Sequence, residues 1–250
     1  MKISAVLITV NEASNIAECL EALRFCDECI VVDSGSKDRT AQIAQVMGAK
    51  VFVRAFDDFS AQKNFGIEKA IGEWVLLVDA DERVSPLLMQ EIKSKLENSA
   101  LDGYYFKRRN KIFGRWMRFG INRGDLQLRL VRKVKAKFEG RVHERVLVPR
   151  KKTALLKNCL EHFSTATISN YMRKLNTYSK LEAEVLNERK EIFSERKLKR
   201  RPLVVGVYQG FILAGLLDGI EGFFFCVLGA YYDFVRRAKH WELTKGRGGS

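Results

Sequence analysis

The chain has 250 residues, of which 46% are hydrophobic, and a formal net charge of +14 from 44 Lys and Arg against 30 Asp and Glu. This length and apolar content exclude wholesale disorder and allow one large α/β domain with a smaller appendage. The excess of positive charge predicts an anionic partner, and nucleic acid, a nucleotide-linked substrate and acidic lipid all satisfy it.

Cysteine usage and the N-terminus bear on the compartment. The five cysteines are odd in number and unevenly scattered, unlike the disulfide framework of a secreted protein. Cys26 and Cys29 have no second pair at zinc spacing, so we expect reduced, structural thiols. Residues 1–4 lead into an apolar run that is too short for a signal peptide. We therefore expect a cytoplasmic protein.

Strands and helices alternate through the first 100 residues. Apolar runs end at Thr9, Asp33 and Arg54, and a helical pattern follows each of them. Pairs of these lengths are βα units, which predict an α/β fold with a mostly parallel sheet and helices on both faces. The expected helix N-caps are Ser14, Asp38, Ser60 and Ser85.

The fourth apolar run, 74–78, stops at two carboxylates, Asp79 and Asp81. A short apolar run that ends on charge is typical of a buried strand in an open α/β sheet, and ligands bind at the carboxyl ends of such strands. Two carboxylates at that place suit Mg²⁺ or Mn²⁺ bridged to a diphosphate. The alternative is that Asp81 begins a solvated loop before the next helix.

The pattern changes after residue 100. Strands are predicted over 103–109 and 125–132, and a long amphipathic helix over 167–193. Segment 113–119 interleaves aromatic and cationic side chains. Such a segment suits a phosphorylated glycolipid, single-stranded nucleic acid, or a hydrophobic loop packed under the C-terminal tail.

The C-terminal tail is apolar and has cations on both flanks. Between 203 and 232 the only charged residues are Asp218 and Glu221, which separate two apolar stretches. Each stretch is shorter than the ~20 residues that span a bilayer, and one continuous helix would place both carboxylates in mid-membrane. Cations within 196–201 and 236–239 favour a segment that dips into the membrane or lies in its interface. The alternative is a helical hairpin packed on the protein or on a second copy.

Four motifs resemble those of the family 2 glycosyltransferases, which have the GT-A fold. They are Ile8-Thr9-Val10-Asn11-Glu12, the run 32–40 from Val32-Asp33-Ser34-Gly35-Ser36 onward, Gln62-Lys63-Asn64-Phe65-Gly66-Ile67 and Val78-Asp79-Ala80-Asp81-Glu82. Later segments are similar to the lipopolysaccharide inner-core β-1,4-glucosyltransferases, namely 126–130, Val142-His143-Glu144, His162-Phe163-Ser164, 217–219 and 239–243.

The resemblance implies a nucleotide-sugar site at the ends of the first two strands. Asp33 would accept a hydrogen bond from a uracil N–H, and its alternative role is in an Asx turn. Lys63 would reach the diphosphate, and its alternative is an exposed helix charge. Arg129 and Gln127 would line the acceptor or phosphate side, and their alternative is a solvated strand face. The full expected nucleotide-sugar-binding set is Thr9, Asn11, Glu12, Asp33, Ser36, Lys63, Asp79 and Arg129.

The resemblance also implies a metal ion, Mg²⁺ or Mn²⁺. Asp81 is expected as the direct ligand, with Asp79 nearer to ribose and water. His162 is the expected C-terminal histidine that joins the metal or the diphosphate. The cation would act as a Lewis acid for the leaving group.

The base that takes the acceptor proton is expected to be a carboxylate. Glu144 is the first choice and Asp125 the runner-up. The alternative for Glu144 is a salt bridge with Arg141 or Arg145.

Taken together, the residues and the resemblance predict an inverting hexosyltransferase at the cytoplasmic face of a bacterial inner membrane, peripheral or monotopic. The expected donor is UDP-glucose and the expected acceptor a lipopolysaccharide inner-core heptose or a similar lipid-linked sugar. The alternative acceptor is a polyprenyl phosphate or another polysaccharide. A nucleic-acid-binding protein is disfavoured, because the sequence has no helix-turn-helix, zinc or RNP motif.

The predicted organisation has four parts. Residues 1–165 form the GT-A nucleotide-sugar-binding and catalytic domain, and 166–201 an amphipathic helix with a basic linker. Residues 202–243 form an apolar helical segment that associates with the membrane or forms a homo-oligomer, and 244–250 a tail.

Overall fold

The computed structural model describes residues 1–97, 99–120, 124–140, 145–146 and 148–245. It divides into two compact units, each made of two pieces of chain. The first unit comprises Met1–Arg109 and Asp125–Phe163, and the second comprises Asn110–Gly124 and Ser164–Ser250. The domain limits at 165, 201 and 243 divide the chain by role and stay predictions.

The first unit begins with a parallel sheet. Strand β1 is hydrogen-bonded to β2 on one side and to β4 on the other, and β3 lies beyond β2, all in the same direction. The carboxyl ends of β1, β2 and β4 therefore meet at one edge. The elements of this part are β1 (Ile3–Thr9), α1 (Ile16–Ala22), β2 (Glu28–Asp33), α2 (Thr40–Val46), β3 (Lys50–Val53), α3 (Phe59–Lys69), β4 (Trp74–Leu77), β5 (Glu82–Val84) and α4 (Pro86–Leu96).

The strands after residue 100 are added in the antiparallel direction. β8 pairs with β4, β6 pairs with β8, and β11 pairs with the short β5. Among the described residues no helix connects β6 to β8, and a parallel pair would need such a crossover. The α/β fold is confirmed, and the sheet as a whole is mixed. These strands are β6 (Gly103–Ile112), β7 (Arg115–Trp116), β8 (Leu126–Arg132), β9 (Phe138–Glu139), β10 (Arg145–Val146) and β11 (Thr153–Thr165).

Helices cover both faces of the parallel strands, as predicted. Ile3, Ala5 and Leu7 of β1 pack in a cluster with residues of α1, α2 and α4. Val6 points to the other face and packs in a cluster with Ile67 of α3. A Cβ at Gly66 would lie 2.5 Å from Cγ1 of Val6, so glycine lets α3 lie directly on the sheet. The buried side chains on both faces explain the continuous apolar runs of these strands.

One of the four predicted helix caps is found. Ser85 accepts from the N–H of Leu88 at the start of α4. The prediction of Ser60 is wrong, because Asp58 caps α3 and the Ser60 hydroxyl donates to a backbone carbonyl. The prediction of Ser14 is also wrong, since α1 begins one residue later without a side-chain cap. Asp38 lies one residue before the N-cap position of α2, and its Oδ1 accepts from the N–H of Thr40, the first residue of that helix, at 3.0 Å.

The second unit is a three-helix assembly that carries a short β-hairpin. Helix α5 (Ile168–Glu188) and helix α6 (Glu195–Val207) both pack on α7 (Gly219–Lys245). A π-helical turn and a 3₁₀ turn connect α6 to α7, and the chain reverses at Ala214, whose φ is 57°. Phe113 and Gly114, both with positive φ, form the tight turn between β6 and β7.

The aromatic and cationic segment 113–119 is bonded to the turn before α7. The backbone N–H groups of Arg118 and Phe119 donate to the two carboxylate oxygens of Asp218, each at 2.9 Å. Nη1 of Arg115 lies 3.6 Å from Oε2 of Glu221. The two carboxylates that interrupt the apolar tail therefore have partners within the second unit, and Asp218 is 1% exposed.

Candidate active site

The loops after β1 and β2 are bonded to each other. The N–H of Asn11 donates to Oγ of Ser36, and the N–H of Lys37 donates to Oδ1 of Asn11, both at 2.8 Å. The N–H of Glu12 donates to Oγ1 of Thr40 at 2.8 Å. Asn11 has φ of 54°, a region that Asn enters more readily than most residues. Asn11, Glu12 and Ser36 therefore share one cradle of loops at the carboxyl edge of the sheet.

Asp33 is the centre of this cradle. Its Oδ1 accepts from the hydroxyls of Thr9 at 3.1 Å and Ser36 at 2.5 Å, and its Oδ2 accepts from the N–H groups of Gly35 and Ser36 at 3.1 and 2.8 Å. A carboxylate offers about four lone-pair sites, and these bonds use them. The arrangement is the Asx turn that was the alternative for Asp33. A hydrogen bond from uracil would require one of these bonds to be given up.

The Gln-Lys-Asn motif at the start of α3 ties the helix to neighbouring loops. Gln62 donates to the carbonyls of residues 54 and 55, and Asn64 exchanges two hydrogen bonds with the backbone of Phe138. Lys63, between them, is 7% exposed, and its ammonium lies 5.2 Å from the centroid of the Phe138 ring. The alternative of an exposed helix charge at Lys63 is therefore wrong.

A buried ion cluster lies where β4 ends. Nη2 of Arg129 donates to Asp79 Oδ2 at 2.5 Å and to Glu82 Oε1 at 2.7 Å. Nη1 of Arg108 lies 3.3 Å from the same oxygen of Glu82. Glu82 is fully buried and Arg129 is 6% exposed. Arg129 is thus not on a solvated strand face, and its charge is directed at Asp79 and Glu82.

The cluster shifts the pKa of its carboxyls in opposite directions. Burial disfavours the charge of Asp79, but the positive charges of Arg129 and Lys63 outweigh it and hold the pKa of Asp79 well below its usual range. At Glu82 burial outweighs the attraction of Arg129, and repulsion by Asp79 adds to it, so the pKa of Glu82 is raised. Asp79 is therefore firmly ionised at neutral pH.

Asp81 and His162 face each other. Nε2 of His162 lies 3.5 Å from Oδ2 of Asp81, and each side chain is 13% exposed, so Asp81 does not begin a solvated loop. The N–H of Phe163 donates to the carbonyl of Asp81 at 2.8 Å, which fixes β11 beside the turn. Two of the three predicted metal ligands are thus together, while Asp79 is bonded to Arg129. Within the described ranges, no three His, Cys, Asp or Glu side chains form a metal-binding group.

Asp125, the runner-up for the base, is held by Arg108. Nε of Arg108 donates to Oδ2 of Asp125 at 2.8 Å, and Nη2 donates to Oδ1 at 3.2 Å. Nε2 of Gln127 donates to Oδ1 at 2.9 Å. A guanidinium that binds both oxygens stabilises the carboxylate and weakens it as a base. Glu144, the first choice, lies outside the described residues, as do the side chains of Arg141 and Arg145.

Three further residues of the site were not identified from the sequence: Glu82, Arg83 and Arg108. Nη1 of Arg83 donates to the carbonyl of Ala80 at 2.7 Å, so Arg83 braces the turn that carries Asp81. Glu82 directly follows the Asp-x-Asp pair, and that position was a usable signal. The sequence contains no local signal for Arg108, because its carboxylate partners lie 17 and 26 residues away.

Comparisons with known proteins relate the sequence of this chain to glycosyltransferases. Residues 4–177 match the model of the family described as glycosyl transferase family 2. An uncharacterized glycosyltransferase of Rickettsia typhi is 30% identical over 97% of this chain and 88% of its own length. The lipopolysaccharide core biosynthesis glycosyltransferase LpsC of Rhizobium meliloti is 27% identical over 97% of this chain and 93% of its own.

Two solved structures share the fold. A crystal structure of S. aureus TarS 1-349 has a TM-score of 0.50 at 15% identity, covering 98% of this chain and 92% of that one. Glucosyl-3-phosphoglycerate synthase from Mycobacterium tuberculosis, in complex with Mn²⁺, UDP and glucosyl-3-phosphoglycerate, has a TM-score of 0.52 at 15% identity, covering 74% and 79%. The fold class with GT-A-like neighbours is confirmed, and so is the resemblance on which it was predicted. The chain belongs to glycosyl transferase family 2.

Proposed function

We propose that the protein moves a hexose from a UDP-sugar to a lipid-linked saccharide by a metal-dependent, inverting displacement. The observation that carries the proposal is the pairing of Asp81 with His162 next to the ionised Asp79, at the edge where β4 ends. The solved synthase of M. tuberculosis, which shares the fold, binds Mn²⁺ with UDP. That neighbour supports the choice of UDP and of a divalent cation.

The residues present fit Mg²⁺ or Mn²⁺. Asp81 offers a hard oxygen ligand and His162 an imidazole nitrogen. Sites of this kind use one or two protein carboxylates together with substrate phosphates, so two protein ligands are sufficient. Asp79, held by Arg129, serves the ribose and bound water. When bound, the cation neutralises the charge that develops on the departing diphosphate.

The transfer is a single displacement. The acceptor hydroxyl oxygen attacks C1 of the donor sugar on the face opposite the diphosphate, the bond from C1 to the diphosphate oxygen breaks, and UDP leaves with the electron pair. A carboxylate takes the hydroxyl proton, and Glu144 stays the proposed base because Arg108 occupies Asp125. The Asn11, Glu12 and Ser36 cradle holds the nucleoside, and Lys63 attracts the diphosphate.

The proposed donor is UDP-glucose and the proposed acceptor an inner-core heptose of lipopolysaccharide. The relative LpsC, named for lipopolysaccharide core biosynthesis, supports this acceptor class. A polyprenyl phosphate or another polysaccharide is the second candidate, and it would use the same donor site. Anionic substrates and membrane lipid would account for the net charge of +14, so the charge requires no nucleic-acid partner.

The proposed location is the cytoplasmic face of the inner membrane, as a peripheral or monotopic protein. The stretch Gly215–Lys245 is long and apolar enough to cross a membrane by length and composition, and 22% of its most apolar window is buried. This stretch agrees with an acceptor that is anchored in lipid.

A panel of sugar nucleotides and acceptors tests the proposal. Turnover of UDP-glucose with a heptose-terminated core lipid, lost in EDTA and restored by Mn²⁺, is the expected result. Turnover only with polyprenyl phosphate would select the second candidate. Full turnover by Asp81→Ala with metal and donor present would overturn the mechanism. Asp57→Ala, which removes an exposed carboxylate bonded to Arg54, is the matched control.

A further inference from the structure

Helix α7 has its polar and apolar faces reversed relative to a helix of a soluble protein. Its buried positions include three charged or polar residues, Asp233, Arg237 and His240. Its exposed positions carry an apolar stripe, which we define as Ile220, Phe223, Phe224, Val227, Tyr231, Phe234 and Trp241. Members of the stripe recur every three, four or seven residues, so they lie on one side of the helix. A continuous exposed apolar face of this kind marks an interaction surface.

Helix α6 extends the same surface. Leu203 and Val207 are exposed on it, and Phe211 follows in the next turn, at spacings of four residues. A groove of about 640 Å³ runs between α6 and α7, and Lys199 is the charged residue among its described lining residues. The apolar surface therefore covers both arms of the hairpin, with cations at its margin.

The charge around this surface selects its partner. The residues of a basic run, defined as Arg196, Lys197, Lys199, Arg200 and Arg201, are all exposed at the start of α6, directly before the apolar part. A second copy of a chain with net charge +14 would bring like charges together. An acidic lipid surface accepts both the cations and the apolar stripe.

We propose that the α6–α7 hairpin lies flat in the interface of an acidic bilayer, with the apolar stripe toward the acyl chains and the basic run at the head groups. This inference rests on the proposed membrane location and adds the depth and orientation of the hairpin. The flat orientation excludes two other arrangements. In one, α7 spans the bilayer; in the other, the hairpin inserts with the connection between α6 and α7 at its deepest point.

The turn of the hairpin cannot go deep because it carries a polar loop. Asp218 accepts from the N–H groups of Arg118 and Phe119, and the N–H of Gly120 donates to the carbonyl of Leu213 at 2.8 Å. Arg115 is paired with Glu221. If the turn entered the acyl region, it would take this loop, its guanidinium groups and its backbone with it.

The packing of α5 along α7 excludes an orientation in which α7 spans the bilayer. Contacts between the two helices extend from the ring pair of Tyr171 and Phe225 to the bond from Lys239 to Ser179. Arg236 of α7 is paired with Glu182 of α5 at 2.6 Å. The outer side of α5 exposes charged residues such as Arg173 and Lys180, which cannot lie in the acyl region. One flank of α7 is therefore kept on the aqueous side along its length.

Quenching of tryptophan fluorescence by brominated phospholipids tests the depth. In a Trp116→Phe, Trp241→Phe background, Trp74 is fully buried in the first unit and gives a constant signal. Phe211→Trp, Phe223→Trp and Phe234→Trp then report three points along the hairpin. In phosphatidylglycerol-containing vesicles, all three should be quenched more by bromines near the head group than by bromines near the chain end. The flat orientation is overturned if bromines near the chain end quench tryptophan at positions 211 and 223 more strongly than they quench tryptophan at position 234.

Vesicle co-sedimentation tests the choice of partner. Arg200→Gln with Arg201→Gln should lower binding to phosphatidylglycerol-containing vesicles by more than tenfold, since each cation contributes about fivefold. Lys151→Gln with Lys152→Gln removes the same charge from the first unit and should change binding far less. Equal binding to pure phosphatidylcholine, or a stable dimer that does not bind vesicles, would overturn the proposal. Binding of UDP, measured without vesicles, reports separately on the glycosyltransferase site.

Discussion

The first unit and helix α7 bury opposite kinds of side chain. In the first unit, β1 places apolar residues in clusters on both faces of the sheet. In α7 the buried side carries Asp233, Arg237 and His240, and the apolar stripe is exposed. The first pattern is that of a protein folded against water, and the second that of a surface made for a less polar medium. In the proposals made above, one chain thus combines a site for a nucleotide-linked substrate with a surface for lipid.

Both regions also contain a buried carboxylate–guanidinium cluster, and the clusters differ in setting. Arg129 in the first unit bonds to Asp79 and Glu82 at the carboxyl end of β4. In the second unit Asp233 accepts from Arg236 and Arg237 within α7, and Arg236 reaches Glu182 of α5. The first cluster shifts the pKa of carboxyls at the candidate site, whereas the second holds α7, whose outer face is apolar, against α5.

The largest expected loss of stability comes from Arg129. Arg129→Met leaves Asp79 and Glu82 without their shared guanidinium, and an uncompensated buried charge costs about 3–5 kcal/mol. Urea unfolding at neutral pH measures this loss. Arg24→Met, at an exposed ion pair with Glu21, is the control and should cost less than about 1 kcal/mol. Equal effects of the two substitutions would refute the buried cluster.

A smaller loss is expected at Gly66, which lets α3 lie on the sheet. Gly66→Ala places a Cβ 2.5 Å from Val6 and 3.2 Å from Val32, and overpacking of this kind costs about 1–3 kcal/mol. Gly124→Ala meets no atom within 4 Å and is the matched control. Thermal unfolding should show a lower midpoint for the first variant alone. An unchanged midpoint in both would mean that α3 does not pack as closely as described.

Glu28 gives a prediction about pH. Burial favours its neutral form, but hydrogen bonds from the N–H of Ile71, the ammonium of Lys50 and the hydroxyl of Ser4 outweigh burial and lower its pKa. A lowered folded-state pKa stabilises the protein above the unfolded value of about 4.3, and this contribution is lost as the pH falls through the folded pKa.

Glu28→Gln should therefore be less stable than the native protein by about 1–2 kcal/mol at neutral pH. The difference should shrink as the pH is lowered towards about 3. Urea unfolding across this range measures it. A difference that is constant with pH would show that the charge of Glu28 contributes nothing.

The smallest expected effect tests the apolar stripe. Phe234→Ser changes an exposed side chain and should alter the free energy of unfolding by no more than about 0.5 kcal/mol. Its neighbour Asp233 lies on the buried side, and Asp233→Ala should cost several times more, because Arg237 loses its carboxylate. Urea unfolding compares the two. A larger loss from Phe234→Ser would mean that the stripe packs inside the protein.

The sequence predicted the parts of the site that depend on local pattern. The apolar run 74–78 ending on Asp79 and Asp81 identified the strand and its carboxyl edge, because strand, turn and charge are neighbours in the chain. It did not identify the partners of Arg129, since Asp79 and Glu82 lie 50 and 47 residues away and alternation in β8 shows only which face Arg129 occupies. Arg129 meets these carboxylates because β8 pairs with β4, and the local pattern of one strand does not encode which strand it pairs with.

Helix starts were predicted wrongly and the surroundings of the tail were left open, for different physical reasons. Asp58 and Ser60 are both good cap residues two positions apart, and the bond of Ser60 to Gly140 is a tertiary contact invisible in sequence. In the tail, the apolar periodicity of α7 does not reveal whether the apolar side faces protein or lipid. The exposed apolar stripe, together with the buried Asp233 and Arg237, shows that it faces outward.

The most direct test of the account is calorimetric titration of UDP with and without Mn²⁺. The native protein should bind UDP at least tenfold more tightly with Mn²⁺, because Asp81 and His162 are the proposed ligands of a cation that meets the diphosphate. Asp81→Ala and His162→Ala should lose this gain while keeping metal-independent binding, and Asp57→Ala should keep it. If Mn²⁺ improves UDP binding equally in the native protein and in Asp81→Ala, the proposed cation site is contradicted.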